Sequence, residues 1–342
     1  MFESADSYAD FIMSLLEGDE WAPNIRDPHE YLVKEMPPPL PPGKSHTELS
    51  EAAVHELRRL GLPTEDASHK QSILRCEFFI WRCVDLITQR LPEDQRQRVT
   101  QSLAFRGAKN FRSSASTYRS PEHYYAIVVS SDLVTLLYLY AAFYEAITHP
   151  QNVEFCSIDP DNPRLDSQSY LVNLAHILDI VRDRGLTPVV IFLFNDQGAR
   201  MVSSFFDAML SFVISHELHH FLSGELTEPG KFSIERSDIG VPKFNETQAS
   251  ELGADIAAFE FMKSRYMPRF APETGPDFLP FCVYAFFELL TKIGFSTTAT
   301  HPHPFERFIH ICRICIPPIP GNETVWSELV PAAVQYLHDS DA

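Results

Sequence analysis

The chain has 342 residues, 44% of them apolar and 22% charged, with a formal net charge of -18. That length buries a substantial core, and the balance is that of a soluble globular protein. The strong negative charge excludes a nucleic-acid binder, which needs a basic face for phosphates, and an anionic membrane surface; it leaves neutral or basic partners. The amino terminus, Met1-Phe2-Glu3-Ser4-Ala5-Asp6, lacks the basic and apolar stretches of a secretory signal. A cytoplasmic chain with its six cysteines reduced is therefore expected.

In chain order, residues 1–43 read as an acidic arm with a short amphipathic helix around Tyr8 to Leu16, in a loosely packed tail. The arm ends in Pro37-Pro38-Pro39-Leu40-Pro41-Pro42, a polyproline segment that an aromatic-grooved partner can recognise. Residues 44–119 form a helical region, on spacing such as Ile73, Phe78, Ile80, Trp81 and Val84. Arg106, Lys109, Arg112 and Arg119 read as a solvated basic loop. The run Tyr124-Tyr125-Ala126-Ile127-Val128-Val129 is a strand, and Ser130 or Ser131 caps a helix running to about Ile147. The whole apolar window carries Asp132 and Glu145, which argues for a core strand and helix rather than a membrane span. Thr187 to Phe194 is a second strand, and a long apolar helix runs from Met201 to a stop at Gly224. Further helices fit 246–264, 277–293 and 304–316, and 321–342 is a tail. Cys312 and Cys315 make a lone CxxC with no second pair, which points to helix packing. The fold class is α+β, helix-dominated with a small sheet.

The chemistry lies in His216-Glu217-Leu218-His219-His220. On a helix, residues four apart differ by about 40° and one turn, so the His216 and His220 imidazoles can reach one metal ion. Glu217 falls on the same side, placed for a general base acting on a metal-activated water. His219 falls to the other side and is excluded. The surrounding Phe212, Val213, Ile214, Leu218, Phe221 and Leu222 make the helix apolar nearly all round, and buried histidines need partners. Downstream, Glu251-Leu252-Gly253-Ala254-Asp255 places Glu251 and Asp255 on one helix face. Glu251 can supply a third ligand, and Asp255 can accept the far N–H of a liganding imidazole.

His216-Glu217-Leu218-His219-His220 with Glu251-x-x-Ala254-Asp255 resembles the E-x-x-A-D form of the gluzincin signature. It is similar to the HtpX and CAAX-prenyl-protease group and its soluble relatives, the phage-exclusion peptidase Lit among them. Thr300-His301-Pro302 followed by Arg307 resembles a segment that follows the third ligand in that group. The likeness spans residues 120–315 at most, within a domain placed at 120–320, and lacks the group's membrane spans. It implies a zincin-like metallopeptidase domain with a sheet beside the histidine helix. The implied activity is Zn2+-dependent hydrolysis of a protein or peptide substrate. His216, His220 and Glu251 hold the metal, Glu217 is the base, and His301 and Arg307 are donors to the oxyanion, with His303 a weaker substitute for His301. The competing reading is a non-catalytic zinc-stabilised binding or regulatory module. Substrate docking on a free strand edge puts Tyr124–Val129 first and Val189–Phe194 second as that edge.

Overall fold

The computed structural model describes residues 2–17, 79–80, 83–84, 86–108, 115–120, 122–156, 158, 165–184, 190, 192–224, 246–274, 277–298, 301–318 and 321–340. The polyproline run, Lys109, Arg112 and Thr300 lie outside them. The described chain is helix-dominated α+β and divides into two compact units interleaved along the sequence.

The first unit carries the strands. Helix α1 spans Ala5–Glu17 and α2 Glu93–Ser102. Strand β1 (Leu103–Ala108) pairs in parallel with β3 (Tyr125–Ser130), and β2 (Ala115–Arg119) pairs antiparallel with the other side of β3. All six residues of β3 are buried, as a central strand requires. The expected free edge at Tyr124–Val129 is therefore corrected: β3 is hydrogen-bonded on both sides. Of the second expected strand, Thr187, Pro188, Val189 and Ile191 lie outside the described residues; Phe192–Phe194 form β5, which pairs antiparallel with β4 (Val153–Cys156) in a separate two-stranded sheet.

Two expectations for the amino-terminal half are also overturned. The helical reading of 44–119 fails from Leu103 on, where β1 and β2 form. In the tail expected to be loosely packed, Ala5–Glu17 instead form a docked helix. Tyr8, Ala9, Ile12 and Met13 of α1 are buried against Ala104, Ala108, Ala126 and Val128, small side chains that let the helix approach the sheet closely. Arg106, between the two alanines of β1, is buried rather than a solvated loop residue. Its guanidinium donates to Asp6 at 2.9 Å and to Asp10 at 3.0 Å, two carboxylates one helical turn apart. Because both carboxylates keep water contact, the cluster contributes about 1 kcal/mol. Arg106→Met is expected to speed amide exchange across α1 by about fivefold while leaving the second unit's exchange unchanged, which hydrogen-exchange mass spectrometry resolves.

The second unit is helical. It takes most of α3 (Ser131–Thr148), then α4 (Ser167–Arg184), α5 (Asp196–Ser223), α6 (Glu246–Thr274), α7 (Phe278–Lys292), α8 (Pro304–Cys315) and α9 (Val330–Ser340). The last of these replaces the expected tail. Helix α5 ends at Gly224 with φ of 73°, a left-handed stop that glycine adopts without strain. Buried on nearly every face from Ala208 to Leu218, α5 packs on α6 and α7; Phe212 meets Phe286 and Phe287 edge-on at 5.6 and 5.7 Å. Helix α8 packs on α6, α7 and α9. No helix among the described residues is long and apolar enough to cross a membrane.

Candidate metal centre

Three helices of the second unit supply the site. His216, Glu217 and His220 lie on α5, Glu251 and Asp255 on α6, and Arg307 on α8. All but Glu251 are buried, and the Glu251 side chain is only 12% exposed. The helical spacing brings the two imidazoles face to edge: His220 Nε2 stands 3.2 Å from His216 Nε2. Glu251 closes the triangle, with Oε2 at 3.3 Å from His216 Nε2 and Oε1 at 3.4 Å from His220 Nε2. His216, His220 and Glu251 each bring a ligand atom within 4.8 Å of the other two, close enough to share a metal ion, and no other such group of His, Cys, Asp and Glu occurs among the described residues.

One feature of this triangle calls for a cation. Glu251 Oε2 is buried and accepts no hydrogen bond, although His216 Nε2 (3.3 Å), His301 Nε2 (3.4 Å) and Arg307 Nη2 (3.8 Å) stand near it. An unmatched buried carboxylate oxygen is costly unless a cation takes it up. Three carboxyl groups (Glu217, Glu251, Asp255) share this interior with the Arg307 guanidinium and the two imidazoles, a donor set that suits a divalent ion.

Behind the triangle runs a second layer. Asp255 Oδ1 is 2.9 Å from His216 Nδ1, which directs the His216 Nε2 lone pair into the triangle. Asp255 in turn accepts two bonds of 2.7 Å from Arg307, from Nε to Oδ2 and from Nη2 to Oδ1. The Arg307 guanidinium lies over the Phe287 ring at 5.1 Å. Arg307 is buried and gripped edge-on by Asp255, with its Nη2 3.8 Å from Glu251 Oε2.

Burial alone would raise the pKa of Asp255, but Arg307 and then His216 bring it below the ordinary aspartate value. Burial opposes ionisation of Glu251 as well, yet His216, His220 and Arg307 hold it well below the carboxylate range. Burial would lower His216, but the Asp255 and Glu251 carboxylates beside it hold its pKa at about 10. The sign of the consequence follows. With no metal bound, a pKa near 10 keeps His216 protonated at neutral pH, so an ion taking its Nε2 would displace that proton. Apparent metal affinity is therefore expected to rise about tenfold per pH unit between pH 7 and 9 and to level off near pH 10, with close to one proton released per ion bound. In the chelated protein the raised pKa stabilises the fold fully below pH 6.5, and that stability is lost as pH rises through about 10. Calorimetry in buffers of different ionisation enthalpy reads the proton release.

The approach to α8 brings in His301. Its side chain is 50% exposed, against 9–12% for His216, His220 and Glu251, so it stands at the open side of the centre. Burial lowers its pKa below the usual histidine value, and Glu251 only partly restores it. The charge of Glu217 is felt at both His301 and Arg307. His303 has another job. Its Nδ1 accepts from Phe305 N at 3.2 Å while Glu306 accepts from His303 N at 3.0 Å, a reciprocal cap with Pro304 as the first helical residue. It is buried in the α8 cap beside Phe305 and Tyr336 and does not substitute for His301. The cap went unrecognised in the sequence because histidine is outside the usual capping set; Pro304 with Glu306 was the available signal. His219 is no part of the donor triangle, and Cys312 and Cys315 are buried in α8 with thiol pKa values raised by burial. Compared with known proteins, the chain matches no family model, no curated protein and no solved structure.

Proposed function

We propose that the protein is a zinc-dependent endopeptidase with a zincin-like centre, in which His216, His220 and Glu251 hold Zn2+ and Glu217 is the general base. The observation that carries this reading is the convergence of His216 Nε2, His220 Nε2 and the Glu251 carboxylate, the imidazoles 3.2 Å apart and each within 3.3 or 3.4 Å of one carboxylate oxygen. Ligand atoms about 2.0–2.1 Å from a zinc ion at the tetrahedral angle stand about 3.3–3.4 Å from one another. A His₂Glu set also leaves the fourth position open, as catalytic rather than structural zinc sites do. Bound there, zinc supplies a Lewis acid and lowers the pKa of a water toward neutrality.

The remaining work falls to side chains of the chain itself. Glu217, next to a ligand yet outside the donor triangle, takes the proton of the attacking water and returns it to the departing amine nitrogen. His301, neutral and half-exposed, donates an N–H to the carbonyl oxygen as negative charge grows on it. Asp255 and Arg307 orient His216 from behind and touch no substrate atom. The substrate is a neutral or basic protein segment, in keeping with the net charge of -18. Metal analysis of the purified protein and digestion of a peptide library test the assignment together. About one zinc per chain, with cleavage that a chelator stops and zinc restores, is the expected result. Zinc without cleavage makes the centre a structural one, and no zinc removes the reading altogether.

A further inference from the structure

Helix α6 supplies more than a ligand. Gln248 lies three residues before Glu251, and residues three apart share a helix face. Gln248 Nε2 donates to the carbonyl oxygen of Thr298 at 2.9 Å, across a separation of fifty residues. Thr298 and His301 are then tied to each other twice: Thr298 N donates to His301 O at 2.8 Å, and His301 N donates to Thr298 Oγ1 at 2.9 Å. The His301 ring completes the circuit with its Nε2 at 3.4 Å from Glu251 Oε2. His301 is thus held at two points on one face of α6, its backbone through Thr298 and Gln248 and its ring beside Glu251.

The arrangement answers a specific need. His301 sits at the open side of the centre and has no helix of its own; α8 begins only at Pro304. A donor to a developing oxyanion is effective only when held within a few tenths of an ångström of its productive position. The buried packing that fixes His216 and Arg307 is missing at a half-exposed ring, and the hydrogen bonds of Thr298 and Gln248 take its place.

We propose that Gln248 and Thr298 are positioning residues that set the His301 ring against Glu251 and so tune the hydrolytic step. This rests on the peptidase reading of the same centre, and deepens it by assigning who places its donor. Neither residue belongs to the donor triangle, so neither governs metal content.

The test uses the full-length zinc protein and four variants. Thr298→Val keeps the shape and removes Oγ1; Thr298→Ser keeps the acceptor; Gln248→Met removes the donor at similar length; His301→Ala removes the ring. Thr298→Val and Gln248→Met are expected to lower kcat by about three- to tenfold, the range of one lost hydrogen bond, with KM within about twofold. Thr298→Ser should restore the rate, and Thr298→Val should add nothing in the His301→Ala background. A second readout needs no turnover: the rate at which diethylpyrocarbonate modifies His301, followed by peptide mass spectrometry with exposed His338 as internal reference. Release of the ring raises that rate about threefold or more in Thr298→Val and Gln248→Met, and Thr298→Ser matches the wild type. An unchanged modification rate overturns the proposal, as does a Thr298→Val effect that adds in full to His301→Ala. If no peptide is cleaved but the modification rates respond as described, the tether stands and the peptidase reading falls.

Discussion

On the proposed peptidase reading, Glu217→Gln is expected to leave zinc content at the wild-type level and to lower peptide hydrolysis by about 10²–10⁴-fold, the usual contribution of a positioned general base. The split follows from where the side chain stands. Glu217 shares α5 with both imidazoles, but the donor atoms that meet are those of His216, His220 and Glu251 alone. Glutamine keeps the volume and hydrogen-bonding reach of glutamate and cannot accept a proton from water. The buried surroundings already contain two other carboxylates, so removing one negative charge does not impair packing. Metal analysis and progress curves on one preparation decide the matter. Stoichiometric loss of zinc would make Glu217 a ligand, and undiminished hydrolysis would place the base elsewhere.

How far the site could be read in advance depended on how local its geometry is. His216, Glu217 and His220 are related by helical spacing within one element, and the apolar residues around them declare that element buried. Glu251 and Asp255 repeat the logic on α6, and Gly224 and Pro304 mark real helix ends. What escaped was long-range. Arg106 looked like one member of a basic run because its partners, Asp6 and Asp10, lie 100 and 96 residues away. The central place of β3 was partly visible: an unbroken apolar run is the mark of a strand buried on both faces, and a free edge contradicts it. Its neighbours were less so, since Leu103-Ala104-Phe105-Arg106-Gly107-Ala108 has no β-branched residue to announce a strand. Gln248 and Thr298 carried no motif at all; only the fold places an ordinary amide beside an ordinary carbonyl.

For Arg307 we propose a supporting role behind His216 rather than the oxyanion contact that the sequence resemblance implied. A donor to the oxyanion must face the substrate, whereas Arg307 is buried and makes two bonds of 2.7 Å to Asp255, which is fully buried and bonded to His216. Arg307→Ala leaves a buried carboxylate without its counter-charge, a loss of about 3–5 kcal/mol of stability. The Asp255 carboxyl then takes up a proton and no longer fixes the His216 tautomer, and zinc affinity falls by about 10–100-fold. Arg307→Lys keeps the charge but not the planar fork, so both losses should be partial. Combining Arg307→Met with Asp255→Asn should destabilise less than Arg307→Met alone, because removing both partners of a buried pair strands neither. Denaturant unfolding reads the stability and competition with a chromogenic chelator reads the affinity. Should Arg307→Lys lower kcat/KM while zinc affinity and stability stay at wild-type values, Arg307 acts on substrate after all, and the chain from Arg307 through Asp255 to His216 is not what orients the ligand.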